Sequence, residues 1–394
     1  VVLRDAPWVF RDHLSSAAEV FEDGQWLRLV DGKNRIIGYG IYESRGAIAI
    51  RVLRRGEVPP DTAWLSALVD AALARRAPLR EGHPSTASAE VSHGDAAPTN
   101  AFRAIHGESD GLPAVVLDVF ADTLVVQSYS AGADALARLA ARWVARKIGA
   151  ARILMKPAQR RQGNDEAAAK PRWLLGGPVV EGGAAVSFHE GAIELTCDPS
   201  EGQKSGAFLD LRGLRRAVAA MSLPSARVLN LFSYTGMLGR CAERAGAREI
   251  WQVEVSAAAL ELAARYHVDD PGRHRMIVAD VFEWLPAQPV DQAFELVIID
   301  PPSMTSRRAQ VPGALAAYRK LYRAAAPHVA PGGTLVAACC TSRITRPEFR
   351  KVVTAALGTD FEAISELPPE VDHPVTFAES DYLKILLYRR RSVR

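Results

Sequence analysis

Cys339 and Cys340 close the apolar run GTLVAA and stand before Thr341-Ser342, at what reads as the carboxyl end of a strand. A cysteine there either packs as a small hydrophobe or offers a thiolate nucleophile. Asp300 holds the same place on another run, FELVII, and Pro301, Pro302 and Ser303 follow it directly. Two prolines fix the backbone and hold the acid and the nearby carbonyls in one direction, which suits the edge of a flat base. Glu254 ends the run EIWQVE, and Asp280 follows RMIVA. A carboxylate at a strand end can accept hydrogen bonds from both hydroxyls of a ribose, or simply cap the next helix. Eighteen residues before Glu254 lies Gly236, which ends the turn Ser233-Tyr234-Thr235-Gly236 after the run ARVLNLF.

The elements that must position these groups are legible in the last two hundred residues. ARVLNLF, EIWQVEV, RMIVA, FELVII and GTLVAA alternate with helical patterns such as MLGRCAERAG, SAAALELAARYHV and a long helix ending near Val329. Near-continuous apolar strands between amphipathic helices predict a parallel sheet covered on both faces, a Rossmann-like α/β domain with ligands beyond the strand carboxyl ends. A nicotinamide dehydrogenase would use the same sheet, but it needs a GxGxxG turn to seat a pyrophosphate, and residues 233–236 do not supply one. S-adenosyl-L-methionine is a nucleoside cofactor without a phosphate. Amino-group methyltransferases with an acid-proline-proline run typically place an aromatic next, to stack on the base; Ser303 argues against that chemistry. Methylation at carbon 5 of a pyrimidine needs instead a thiolate that adds at carbon 6, and a cysteine beside the methyl donor supplies it.

At 394 residues the chain exceeds one hydrophobic core, so two or three domains are expected. From Trp8 to about Arg55, WLRLVDGKNRIIGYGIY and GAIAIRVLRR read as a small β domain with a hairpin at Asp31-Gly32. DTAWLSALVDAALARRA predicts a helix capped by Asp61 and ended before Pro78. Strands at AVVLDVF, TLVVQSY and ARILMKP, with a helix from Asp134 to Ile148, make the middle α+β; Ala158 to Ala185 reads as a loop or hairpin. The borders are set at 1–62, 63–188 and 189–394. Hydrophobic residues at 48% and charged residues at 24% are those of an ordinary globular chain. A net charge of +3 permits nucleic-acid binding, with arginine clusters at Arg51/Arg54/Arg55, Arg160/Arg161, Arg212/Arg215/Arg216, Arg307/Arg308 and Arg389 to Arg394. Four cysteines without CxxC spacing predict no metal site and a reducing, cytoplasmic setting. VVLRDAPWVF lacks a signal-peptide pattern and no apolar run is long enough to span a bilayer, so no membrane partner is expected; a few residues are expected before Val1, since it is not Met.

Longer stretches carry a resemblance. GQKSGAFLDLR (Gly202 to Arg212), PWVF (Pro7 to Phe10), FRAIHGESDGLP (Phe102 to Pro113), LFSYTG (Leu231 to Gly236), DPPS (Asp300 to Ser303), DHPV (Asp372 to Val375) and YLK (Tyr382 to Lys384) occur in the order in which similar segments occur in one family. With them the chain resembles, over essentially its whole length, the bacterial 23S ribosomal RNA cytosine-5 methyltransferases. The resemblance implies a PUA-like RNA-binding domain, a central linking domain and a class I S-adenosylmethionine domain, with S-adenosyl-L-homocysteine as product. It implies that Gln203, Lys204, Phe208 and Arg212 border the cofactor site. Phe232, Ser233, Tyr234, Thr235, Gly236, Glu254, Val255, Asp280, Val281 and Asp300 would touch or surround the cofactor, and Pro301, Pro302 and Arg307 would lie on the substrate side. The family's Ser-Cys-Ser motif falls on Cys339-Cys340-Thr341, so the nucleophile maps to Cys340. The chain departs from the family pattern at Cys339 and Thr341, which leaves Cys339 a second candidate, at Glu254 for Asp, and at His106 for Asn.

The resulting expectation is a ribosomal RNA methyltransferase that extrudes a cytosine, adds Cys340 to carbon 6 and steadies the ring through Asp300. His373 and Tyr318 are placed either near the base or in the core. A homodimer is expected by analogy alone. Two other readings stay open: a guanine methyltransferase of the same fold that needs no thiol, and a silent S-adenosylmethionine-binding RNA assembly protein.

Overall fold

The computed structural model describes residues 6–14, 21–81, 98–157, 170–178 and 184–392. Arg160, Arg161, the last two residues of the tail and most of the loop expected over 158–185 lie outside them. The described residues gather into two compact units: residues up to 81, 98–209 and 371–377 form one, and 210–370 with 378–392 the other.

The first unit opens with β1 (Trp8–Phe10), β2 (Trp26–Val30), β3 (Ile36–Tyr42) and β4 (Ile48–Arg55), an antiparallel sheet in the order β1-β4-β3-β2. The expected hairpin is present, but its turn is longer than Asp31-Gly32. Asn34, at φ +58°, takes the left-handed position, and the Asp31 carboxylate accepts from the amides of Lys33 (2.8 Å) and Arg35 (3.0 Å). Helix α1 (Thr62–Arg75) starts where Asp61 accepts from Trp64 N. Pro78 does not end helical structure; it sits in the first turn of the short α2 (Ala77–Glu81), where its missing N–H is harmless.

Strands β5 (Ala101–His106), β6 (Val115–Phe120) and β7 (Thr123–Ser128), helix α3 (Asp134–Ile148), then β8 (Arg152–Pro157) and β9 (Arg172–Leu175) follow, with the sheet in chain order. Helix α3 spans the predicted residues. Leu136, Ala137, Ala140, Ala141 and Val144 recur at helical spacing on its buried face, and Gly149 terminates it at φ +72°. The hairpin β10 (Val186–Glu190) and β11 (Ile193–Cys197) stays with this unit, so the expected 188/189 border falls inside β10.

FRAIHGESDGLP is the structural hub of this unit. Glu108 accepts from Trp8 Nε1 (3.0 Å) and Arg51 Nη1 (2.8 Å), which joins the motif to PWVF and the first sheet. Asp110 takes both terminal nitrogens of the fully buried Arg76 (2.8 and 2.6 Å) and the amide of His106 (2.7 Å). The segment 371–377 returns here: Arg76 donates to Asp372 O (3.1 Å), and Arg103 N to Asp372 Oδ2 (2.9 Å). Arg75 also donates to Asp110, so Arg76→Met leaves the acid one cation and should destabilise this unit by about 1.5–3 kcal/mol in a urea titration. An unchanged midpoint would show that Asp110 does not need its partner.

The second unit is built on seven strands with six helices. In chain order they are α4 (Arg212–Ala219), β12 (Arg227–Leu231), α5 (Met237–Arg244), β13 (Glu249–Glu254), α6 (Ala257–Tyr266), β14 (His274–Val278), α7 (Val281–Trp284), β15 (Phe294–Ile299), α8 (Val311–Ala325), β16 (Val329–Cys339), α9 (Arg346–Leu357), β17 (Phe361–Leu367) and β18 (Lys384–Arg390). The sheet order is β14-β13-β12-β15-β16-β18-β17; β12 to β16 run parallel, and β18 runs antiparallel to both of its neighbours. The parallel part follows from apolar residues on both faces. Leu229, Leu231, Val297, Ile299, Leu335, Ala337 and Cys339 share one core with Tyr318, Tyr322, Phe349 and Val353 of α8 and α9, while the alternate residues face the other layer. Among the described residues, no helix is long and apolar enough to cross a membrane.

Candidate active site

Beyond Leu231 the chain turns through Phe232, Ser233, Tyr234, Thr235 and Gly236 into α5. Phe232, Tyr234 and Gly236 have φ of +59°, +49° and +77°. Left-handed backbone at two non-glycine residues costs energy, and such strain collects where a loop is shaped for a ligand. Gly236 is required, because a Cβ would lie 2.8 Å from Ala263 Cβ and 2.9 Å from Gln252 Oε1. Strand β13 pins this turn: Ser233 N donates to Val253 O (3.1 Å) and Tyr234 N to Glu254 Oε2 (3.0 Å). Glu254 Oε1 accepts from Ser256 N (3.1 Å), so one carboxylate holds the turns after both β12 and β13.

The hydroxyls of Ser233 and Thr235 are buried with no hydrogen-bond partner among the described residues. Buried unsatisfied hydroxyls are costly unless a ligand completes them. Together with the strained turn and the acceptor oxygens of Glu254, they fit a nucleoside cofactor lying over β12 and β13. Further along the edge, Asp280 caps α7 by accepting from Phe282 N (2.8 Å) and stays exposed. Val255 is 67% exposed, whereas the Val281 side chain is buried in the core, so only the first of this pair presents its side chain outward.

Gln203, Lys204 and Phe208 belong to the first unit, and Arg212 to the second. The GQKSG segment folds back on itself. Gly202 N donates to Asp198 O (2.8 Å), Lys156 donates to the Gly202 carbonyl, and Ser205 donates to Asp118, which also takes two guanidinium bonds from Arg103 (2.7 and 3.0 Å). Lys204 Nζ stands 4.4 Å from the centroid of the Phe208 ring. Arg212 is buried and bonded to Glu370 (2.8 Å), and Arg215 is buried as well. The cluster expected at residues 212–216 therefore keeps two of its charges inside the protein rather than on a phosphate-binding surface; Arg307 and Arg308 are exposed.

On the reacting side, β15 ends at Ile299 and β16, its hydrogen-bonded neighbour, at Cys339. Asp300 is half-buried there, Pro301 is buried, and Pro302 and Ser303 are exposed. The strand pleat separates the two thiols. Cys339 points into the α8/α9 core, where burial pushes its thiol pKa up and keeps it neutral. Cys340, the next residue, is half-buried with Sγ 3.6 Å from Pro301 O.

Thr341, fully buried, fastens the two loops together. Its hydroxyl accepts from Met304 N (3.1 Å) and meets the Tyr318 hydroxyl (3.2 Å), and its carbonyl accepts from Lys384 Nζ (3.0 Å). Tyr318 is thus a core residue; burial raises its pKa and its hydroxyl serves Thr341. His373 is buried in the first unit, with Nδ1 2.9 Å from Asp372 Oδ1 and its ring 5.1 Å from that of His106. Sequence reasoning noted Lys384 only as part of the YLK segment and gave it no role. Its signal was a lone cation inside the apolar stretch YLKILLY.

Comparison with known proteins agrees with this architecture. Residues 122–389 match the S-adenosylmethionine-dependent methyltransferase family, and residues 2–55 match the PUA-like domain. A ribosomal RNA large subunit methyltransferase of Deinococcus radiodurans is 36% identical, covering 97% of this chain and 93% of its own. Ribosomal RNA large subunit methyltransferase I of Aeromonas salmonicida is 30% identical, covering 99% and 96%. A solved S-adenosylmethionine-dependent methyltransferase of Streptococcus mutans superposes with a TM-score of 0.75 at 20% identity, covering 93% of this chain and 92% of its own. A methyltransferase solved with S-adenosylhomocysteine does so with a TM-score of 0.77 at 20% identity and the same coverage. With a match over residues 122–389 and a second over residues 2–55, this chain belongs to the S-adenosylmethionine-dependent methyltransferases and carries a PUA-like domain at its amino end.

Proposed function

We propose that the protein methylates carbon 5 of a cytosine in 23S ribosomal RNA, in the cytoplasm, with Cys340 as nucleophile. The relatives named for ribosomal RNA support the substrate class, and one observation carries the chemistry: of four cysteines, Cys340 alone is not buried, and it stands at the end of β16 beside the Asp300-Pro301-Pro302 loop of β15. The PUA-like sheet and exposed arginines hold RNA through its phosphates, and the base leaves its stack to reach the sheet edge. The Cys340 thiolate adds to carbon 6, and the ring electrons move to carbon 5, which becomes nucleophilic. Asp300 hydrogen-bonds the ring edge and favours the protonated ring nitrogen that balances this charge. The bound cofactor supplies the electrophilic methyl group, over the turn formed by Ser233 to Gly236 and Glu254. Transfer of the carbon-5 proton to water at the open sheet edge then expels Cys340 as its thiolate and restores the aromatic ring.

The test is transfer of labelled methyl from S-adenosylmethionine to unmodified large-subunit RNA, followed by digestion to nucleosides. Label in 5-methylcytidine is the expected result. Label in a methylguanosine, or none in RNA while the cofactor still binds, would replace this reading.

A further inference from the structure

Lys384 opens β18 opposite Cys339 and is 1% exposed. Its ammonium donates to Thr341 O and Tyr382 O, each at 3.0 Å, and among the described residues no carboxylate lies within ion-pair distance of it. A buried ammonium held only by carbonyls is an unfavourable arrangement that asks for a negative charge to face it. Two acids, Glu348 and Asp381, act on it from a distance, but both are engaged elsewhere, Glu348 by the Thr345 amide (2.8 Å) and hydroxyl (2.7 Å). Burial keeps Cys339 and the Tyr318 hydroxyl neutral, and Asp381 is taken by Arg346 through contacts of 2.6–3.0 Å, Arg346 being shared with Glu366 at 2.7 Å. Asp300 stands on the next strand but one, across β16 from β18.

What remains is the residue bonded to Thr341 on its amino side. We propose that Lys384 is a positioning residue for Cys340, fixing its loop through the Thr341 carbonyl and favouring the thiolate over the thiol with a buried positive charge. The inference rests on reading Cys340 as the nucleophile. Two features support the assignment: burial draws the lysine pKa down while Cys339, Asp381 and Cys340 oppose that shift, and the bond to Thr341 O holds the ammonium at the strand end that carries Cys340.

The experiment is the rate of Cys340 alkylation by iodoacetamide across pH 6 to 10, read by mass spectrometry of the full-length protein, with cofactor affinity measured alongside as a check on folding. The other three cysteines are buried, which makes the modified peptide selective. Lys384→Gln keeps a donor for the carbonyls without the charge and should slow alkylation at pH 7.5 by about tenfold, its profile moving to higher pH by about one unit. Lys384→Arg should restore the rate to within about threefold, which a purely structural role would not predict. A Lys384→Gln profile that coincides with wild type, or an arginine variant as slow as glutamine, overturns the proposal. Cofactor-binding loss in both variants would make Lys384 a folding residue and overturn it equally. Failure of the nucleophile reading looks different: Cys340→Ala would still methylate RNA, while the alkylation profiles would stand unchanged.

Discussion

Replacing Cys340 by alanine is expected to lower methyl transfer to RNA by at least about a thousandfold, with S-adenosylmethionine affinity within about twofold of wild type. The asymmetry follows from the sheet. The turn proposed to hold the cofactor belongs to β12 and β13, and Cys340 follows β16, two strands over from β12, so deleting its thiol leaves Ser233, Thr235 and Glu254 untouched. Cys339→Ala is the matched control. It removes a buried core atom at a cost of about 1 kcal/mol and should leave activity within about threefold, because the neighbouring side chain points to the opposite face. Single-turnover transfer and calorimetric cofactor binding on both variants separate the two thiols. More than a tenth of wild-type activity in Cys340→Ala would remove covalent catalysis from this protein.

The second large effect is expected at Glu254. Its two oxygens accept amides from Tyr234 and Ser256, the two turns that shape the cofactor edge. Hydrogen bonds to a charged acceptor contribute about 1.5–3 kcal/mol each, so Glu254→Ala should weaken S-adenosylmethionine binding by about thirtyfold or more before any direct contact with the ligand is counted. Glu254→Gln, with one acceptor oxygen left, should lie between. Isothermal titration decides the matter, and an unchanged dissociation constant in the alanine variant would show that the strained turn holds its shape without the carboxylate.

Much of the second unit was legible because its parallel strands are apolar runs with few competing readings. Helix α3 and the Asp61 cap were legible because periodicity and capping chemistry agree there. The antiparallel pair β17 and β18 was not: FEAISEL alternates only weakly, and its pairing depends on a strand that begins only at Lys384, beyond the segment 371–377 that leaves for the first unit. The hairpin was visible but its turn residue was not, since Asn34 competes with Gly32 for the left-handed position. At the site, the resemblance put Cys340 first and left Cys339 a second candidate; the pleat then sends Cys339 into the core and leaves Cys340 at the edge. Tyr318 was named with two places open and Lys384 only as part of YLK; their roles escaped for the same reason, because both serve Thr341 through contacts across strands that no local pattern records. GQKSG was visible as a motif, yet the bonds of its Gly202 to Asp198 and Lys156 and of its Ser205 to Asp118 belong to the first unit rather than to a linear cofactor signature.

The return of residues 371–377 to the first unit has a consequence for how the chain is made. Arg76 meets the Asp372 carbonyl across 296 residues, and Arg103 meets its carboxylate across 269. During synthesis those partners emerge after nearly all of the second unit has been translated, so the first unit waits with a buried guanidinium short of one acceptor until the message is almost fully read. A chain cut short before Asp372 therefore lacks contacts in its amino-terminal half, and the earliest-made part of the protein reports whether the last-made part arrived.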